Sequence, residues 1–231
     1  MFKLVQQPTF ETDGVEIVNY EYLLSPSLQE MRKVAYGAFT PARNAKNGLC
    51  RGLRWGVLLD NVLRWSTRDS YQLSAEFNGE EAGRVRTMDL IPTKFLDHPA
   101  IRRVIDDVFS MYYPDTNRAQ QPYIVQLSAI RYEPQHNRTC YPSPDAPHQD
   151  AFDNAIVVLG KTDNLIGGQS RVFTIEDEAL VYEANLEAGQ ALFVRDMDWK
   201  HQVLPMMQDV SDGSGSCHRD ILIVRIDPAN R

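Results

Sequence analysis

Residues 186–205 read LEAGQALFVRDMDWKHQVLP, and this stretch decides the fold. Gly189 supplies a turn, Gln190–Val194 is a short apolar run, a polar loop follows, and His201 then stands close to Val203, Leu204 and Pro205. A run of about five residues bounded by a glycine and a loop is strand-length, well short of the roughly 10–12 residues of a helix. Similar runs flank it: Tyr123–Glu133, Asn154–Lys161, Gln169–Ile175, Val181–Leu186 and Asp220–Ile226. Their Val, Ile, Leu, Phe and Tyr content suits pleated, buried strands. Turn residues separate them, namely Pro134, the Pro-rich Tyr141–Pro147, Asn164, Gly167, Gly168, Gly189 and Asp212–Gly215, and Gln208–Ser216 reads as a loop. Short strands with regular turn signals predict a barrel or double-sheet jelly roll.

Helical periods appear before this region. Ser27 and Glu30 have the spacing of a capping box, and Leu28, Met31, Val34, Ala35 and Ala38 recur at helical intervals, predicting a helix over Ser27–Phe39. Arg51–Asp60 and Val85–Ile91 read as strands. Asp97 is read as an N-cap before Pro99, and Ile101, Val104, Ile105, Val108 and Met111 form one apolar face of a second helix. The expected architecture is α+β and mainly β, with flanking helices outside the β core. One domain spans 1–231, with a helical or mixed layer over about 1–122 and the core over about 123–227.

Composition narrows the function. The 231 residues carry 24 Lys and Arg against 31 Asp and Glu, a net charge of −7, which disfavours nucleic acid as a partner. The longest wholly apolar runs, such as Ala155–Leu159 and Ile221–Val224, fall far short of the about 20 residues of a membrane span. Residues Met1–Pro8 lack the apolar core of a secretory signal. Cys50, Cys140 and Cys217 are odd in number and widely spaced, which suits free thiols in a reducing cytoplasm. No coiled-coil repeat or exposed apolar stripe speaks for a particular oligomeric state.

His148-Gln149-Asp150 is the densest chemical clue. On an extended segment alternate side chains face one way, so His148 and Asp150 can present an imidazole and a carboxylate to one point. A third ligand must come from His98, His136, His201 or His218, of which His201 has the best context. Two imidazoles and one carboxylate leave three positions open on an octahedral iron(II), the arrangement of oxygen-activating sites. Downstream, Arg219 opens the last apolar strand; an inward guanidinium there requires an anion, and Arg225, of the same parity, is the competing candidate.

His148-x-Asp150, Gly189-x-Ala191-Leu192-Phe193, His201-x-Val203-x-Pro205 and Arg219 occur in an order that resembles the iron(II)/2-oxoglutarate-dependent dioxygenases. Within them the chain resembles the small bacterial enzymes that hydroxylate free L-amino acids, the group of L-isoleucine 4-hydroxylase. Ile130-Arg131-Tyr132, Asn164–Gln169 and Arg219–Leu222 carry that likeness over roughly Tyr123–Ile226, with shorter matches at Cys50-Arg51 and Val85-Arg86. The resemblance implies a double-stranded β-helix, the cupin-like jelly roll. It implies that His148, Asp150 and His201 bind Fe(II), that Arg219 pairs with the distal carboxylate of 2-oxoglutarate, and that O2 is the oxidant. It implies oxidative decarboxylation of 2-oxoglutarate to succinate and CO2 coupled to hydroxylation of an unactivated C–H bond of a small molecule, a free L-amino acid.

Two details modify the carry-over. Many relatives show Arg-x-Ser where this chain has Arg219-Asp220-Ile221, removing one co-substrate hydrogen bond, and retention of Asp150 argues against halogenation. For the substrate, Arg51, Arg86 and Arg131 are candidate carboxylate clamps, Gln169 a candidate contact, and Asp145 or Asp153 a candidate ammonium partner. Each has a plainer reading. Arg51, Arg54, Arg84 and Arg86 can form a solvated face, and Gly167-Gly168 a turn. His98 fits a helix N-terminus, His218 a structural place, and His136 a solvated loop, with Cys140 nearby keeping a zinc alternative open. A carrier-bound or peptidyl substrate, or a non-catalytic zinc-binding barrel, are the other function classes in view.

Overall fold

The computed structural model describes residues 9–41, 48–72, 85–116, 121–144, 146–150, 152–211 and 215–229; the expectations placed on Arg84, Asp145 and residues 212–214 lie outside these. The first half contains α1 (Phe10–Asp13), β1 (Val15–Asn19), α2 (Pro26–Gly37), β2 (Leu49–Leu59), β3 (Val62–Trp65), β4 (Ser70–Gln72), β5 (Val85–Thr87), β6 (Asp89–Leu90), α3 (Thr93–Leu96) and α4 (Pro99–Tyr112). Among the described residues the second half has strands alone: β7 (Tyr123–Tyr132), β8 (Asn154–Lys161), β9 (Leu165–Gly167), β10 (Ser170–Phe173), β11 (Leu180–Ala184), β12 (Gln190–Val194), β13 (Lys200–Val203), β14 (Met206–Gln208) and β15 (Arg219–Pro228). The protein is thus mainly β, with few helices.

One large sheet runs β1-β12-β8-β15-β7-β2-β3, with β6 parallel beside β2 and the other pairs antiparallel. Strands from the first half therefore sit in the same sheet as those from the second. The smaller sheets are β11-β10-β13, β14-β9 and β4-β5.

Strand alternation divides the large sheet into two faces. On β7, Val125, Leu127 and Ala129 join α2 and α4 in one core that also holds Leu222 and Val224 of β15. The opposite parity, including Ile130, Tyr132 and Ile221, packs towards Val172, Leu165 and Met206 of the smaller sheets in a second core. That inner face also carries Gln126, Ser128, Asn154 and Arg219, which line a cavity between the sheets. A sheet covered on both faces is ordinarily apolar on both, so polar residues on the inner one mark it for a ligand.

The helices depart from expectation at their starts. α4 is capped by His98, whose Nδ1 accepts the Ala100 N–H at 3.2 Å, while Asp97 instead pairs with Arg102 at 2.6 Å. α2 begins at Pro26, not at the Ser27 box; proline fixes φ and lacks the N–H that a first helical residue leaves unpaired. Val34 of the expected apolar stripe is exposed, and Arg32 is buried in its place because Asp220 draws it inward. The expected strand at Val85–Ile91 is divided into β5 and β6.

Gly167 and Gly168, at φ +83° and +76°, make the turn after β9 that was expected of them. A Cβ at Gly167 would fall far inside van der Waals contact distance of the Pro205 carbonyl oxygen, a backbone atom that cannot yield cheaply. Gly167→Ala is expected to cost about 1–3 kcal/mol through this clash and the left-handed φ, visible as a lowered Tm in thermal denaturation. Among the described residues no helix is long and apolar enough to cross a membrane.

Candidate metal centre

His148 and His201 lie 53 positions apart in sequence but form an isolated β-bridge, His148 N–H donating to His201 O at 3.0 Å and His201 N–H to His148 O at 2.8 Å. The bridge sets the two imidazoles beside each other, ring centroids 4.5 Å apart. His148 Nε2 is 3.8 Å from Asp150 Oδ1, and His201 Nε2 is 3.5 Å from Asp150 Oδ2. One donor atom from each residue falls within 4.8 Å of the others, and among the described residues this is the one such group that could hold a metal ion. His98, His136 and His218 take no part in it. His218 instead approaches Arg32 at 3.5 Å, and Cys50, Cys140 and Cys217 are buried free thiols.

A second layer of groups fixes the triad. His148 Nδ1 faces Ala146 O at 3.3 Å, and His201 Nδ1 lies 3.1 Å from Asp196 Oδ1, so both rings turn Nε2 towards Asp150. Asp196 is only 1% exposed and is pinned by the metal-motif loop: Asp153 Oδ1 accepts its N–H at 3.0 Å, and the Gln149 side-chain amide donates to its carbonyl at 2.6 Å. The Asn154 amide donates to Asp150 Oδ2 at 3.2 Å. Asp153, one expected ammonium partner, is thus engaged in holding Asp196.

The electrostatics suit a cation. Burial disfavours a charged His201, but the carboxylates of Asp150 and Asp196 outweigh it and hold its pKa up at about 9. Burial and the neighbouring His201 push the His148 pKa down. Burial also opposes ionisation of Asp150, yet the two imidazoles and Arg225 keep its pKa below the ordinary carboxylate value. The donor set is one anion and two nitrogens, which suits a divalent transition metal of the iron type.

The triad opens onto a cavity of about 880 Å³. Arg219 enters it 2% exposed, with Nη1 donating to Gly168 O at 2.7 Å and a buried Nε that has no partner. Burial holds its pKa below the usual arginine value. Among the described residues no carboxylate pairs with this deep guanidinium, which is costly, and an anionic ligand offsets that cost. Arg225 also lines the cavity, but it is already paired with Asp227 and stacked 3.6 Å above the Phe152 ring.

Of the expected substrate contacts, Arg51 and Arg86 line the cavity, whereas Arg131 and Gln169 do not. Arg131 follows inward-facing Ile130 by one residue and so lies on the helix side of the sheet. There its Nε and Nη2 donate to Asp220 at 2.7 and 2.8 Å, leaving no clamp for a ligand. Gln169 gives its carbonyl to Leu204 N–H beside the Gly167-Gly168 turn. Sequence reading missed Asp196, Asn154, Trp55 and Arg68; the last two also line the cavity, Arg68 stacked on Trp55 at 5.1 Å. The parity of Trp55 with Arg51 was the available signal for it, while Asp196 carries none.

Comparison with known proteins follows the same lines. Residues 36–225 match the family model described as 2OG-Fe dioxygenase. The crystal structure of IDO from Bacillus thuringiensis is similar over 95% of this chain and 96% of that one, with a TM-score of 0.75 at 17% identity. A bsmA homolog from Methylobium petroleophilum PM1 gives 95% and 91%, TM-score 0.75 and 16% identity. The Fe(II)/α-ketoglutarate-dependent dioxygenase TqaL gives 94% and 83%, TM-score 0.65 and 12% identity. Such low identities speak for the fold alone. Among curated proteins, none matches the sequence.

Proposed function

Since the chain belongs to the 2OG-Fe dioxygenase family, we propose that it hydroxylates an unactivated C–H bond of a free L-amino acid, with His148, Asp150 and His201 holding the metal and Arg219 anchoring the co-substrate. Membership brings Fe(II), 2-oxoglutarate and O2 as cofactors. When bound, they supply the oxidising power that inserts one oxygen atom into the C–H bond and leaves succinate and CO2. The observation that carries the reading is buried, anion-less Arg219 in the same cavity as the triad. The free amino acid rests on the motif likeness around Ile130–Tyr132, Asn164–Gln169 and Arg219–Leu222 together with the arginines of the cavity. The large and small sheets around the inner core are read as the two sheets of a jelly roll, and residues 1–231 as one dioxygenase domain. Three free thiols and ferrous chemistry support a reducing cytoplasm.

The chain's own groups then have definite tasks. Asp196 keeps the His201 proton on Nδ1 and so leaves Nε2 for iron, and the Asn154 amide steadies Asp150. Asp196→Asn is expected to weaken metal binding about 10–100-fold, measured by titration with manganese(II). Arg219→Met, which removes one partner of a buried ion pair worth about 2–5 kcal/mol, is expected to raise the KM for 2-oxoglutarate at least about 30-fold.

Anaerobic addition of Fe(II) and 2-oxoglutarate tests the centre, the expected result being a visible charge-transfer band. Its absence would favour a zinc-binding or non-catalytic barrel. Succinate release across a panel of free amino acids, with mass spectrometry for one added oxygen, tests the substrate. No turnover of any of them, with the band intact, would move the reading to a carrier-bound or peptidyl substrate.

A further inference from the structure

The cavity holds more positive charge than the proposed chemistry uses. Arg51, Arg68, Arg86, Arg219 and Arg225 line it, against Asp150 as the one lining carboxylate among the described residues. Iron(II) with Asp150 leaves one positive charge; the 2-oxoglutarate dianion and Arg219 then bring the metal end to neutrality. Arg225 is balanced by Asp227. Arg86 has a partner of its own, and Arg51 and Arg68 remain, in a protein whose net charge is −7. The Arg51 Nε is buried without a hydrogen-bond partner, and the contacts of Arg68 are neutral, the Ser70 carbonyl at 2.8 Å and the Trp55 ring.

These two cations have a definite spacing. Arg51 and Trp55 are four residues apart on β2 with the same parity, about 13 Å along the strand, and Arg68 covers Trp55. On the neighbouring strand, Ile130 faces Arg51 and Gln126 faces Trp55, with Ser128 between them. The wall therefore reads guanidinium, neutral acceptors, guanidinium. A zwitterion would leave one arginine unmatched.

Resting on the amino-acid reading above, we propose that the preferred substrate is an acidic amino acid, whose two carboxylates are bracketed by Arg51 and Arg68 while its ammonium group faces Gln126 and Ser128. Each carboxylate gains a charge-assisted, fork-shaped contact, and the ammonium meets neutral oxygen acceptors. The amide of such a substrate keeps its shape but leaves either half-buried Arg51 or exposed Arg68 without its carboxylate.

The test compares L-glutamate with L-glutamine and L-aspartate with L-asparagine, alongside L-leucine and L-isoleucine, in the iron enzyme at saturating 2-oxoglutarate. The acids are expected to exceed their amides by at least tenfold in kcat/KM. Arg51→Met and Arg68→Met are each expected to narrow that ratio through KM. In protein loaded with manganese(II) and 2-oxoglutarate, quenching of tryptophan emission should give the same order of Kd values without turnover. Equal use of acids and amides, or aliphatic amino acids in the lead, would overturn the acidic preference and leave the amino-acid reading standing. Turnover of glutarate or adipate but of no amino acid would do the reverse, keeping the paired carboxylates and removing the amino group. An acid-to-amide ratio unchanged in both variants would overturn the Arg51–Arg68 assignment. Silence across the whole panel, in protein that forms the charge-transfer band, would overturn both readings.

Discussion

His201→Ala is expected to lose the visible band formed anaerobically with Fe(II) and 2-oxoglutarate, and to release succinate more than about 100-fold more slowly than the parent enzyme. The magnitude follows from a comparison: removing a partner that merely orients a ligand costs about 10–100-fold, so removing the ligand costs more. His201 is the only one of the three donors that comes from outside the His148-Gln149-Asp150 triplet. It is held in place by a two-bond bridge to the His148 backbone and by Asp196. Alanine preserves the backbone bridge, so the fold should persist while the donor set falls to one nitrogen and one carboxylate. His136→Ala and His218→Ala, which touch neither the triad nor the cavity, should keep the band. A band that survives His201→Ala would remove this residue from the metal.

Asp220→Ala is expected to produce the largest loss of stability, about 3–5 kcal/mol. Asp220 is fully buried and joins Arg32 of α2 to Arg131 of β7; the Arg131 fork closes on it at 2.7 and 2.8 Å. Its removal leaves Arg131 with only the distant Glu133 carboxylate at 3.8 Å and Arg32 with no anion among the described residues, in a space so tight that a Cβ at Gly160 would overlap its guanidinium. For a chain of this size each kcal/mol moves Tm by about 2–4 °C, so a fall of roughly 6–20 °C is anticipated in calorimetry. Asp220→Asn should fall similarly, since the amide keeps the shape and loses the charge. A triple variant, Arg32→Met with Asp220→Leu and Arg131→Met, should recover much of the loss, because a well-packed apolar replacement of a buried ion cluster is often neutral.

The parts of the site that sequence revealed are those governed by short-range geometry. His148 and Asp150 are two residues apart, and Arg219 and Arg225 share a strand, so alternation alone relates them. Arg131 failed for the opposite reason. β7 is covered on both faces, and apolar Ala129, Ile130 and Tyr132 surround the arginine, so hydrophobicity does not say which parity faces the cavity. Val15–Asn19 escaped notice as a strand because its partner, Gln190–Val194, is some 175 positions away and nothing local announces it. Asp196 sits in the loop RDMDWK with another aspartate two residues on, and only the tertiary approach of His201 distinguishes it. The start of α2 was misplaced by a polar pair, Ser27 and Glu30, that faces outward: Ser27 Oγ meets His98 Nε2 and Glu30 pairs with Lys33.

The position of β15 bears on how the polypeptide comes together during synthesis. It lies between β7 and β8, which share no ladder of their own, yet it follows all the other described strands of the large sheet in sequence. Before residues 219–228 leave the ribosome, the sheet exists at most as two separate ribbons, β3-β2-β7 and β8-β12-β1, each with an open edge awaiting the same strand. Open edges invite pairing with other chains, and non-local closure is slow. A nascent chain stalled short of β15 is therefore a sticky intermediate. The strand that ends this exposure also carries Arg219 into the cavity and Asp220 between its two arginines, so closing the sheet, neutralising its buried charge and completing the cavity wall are a single event.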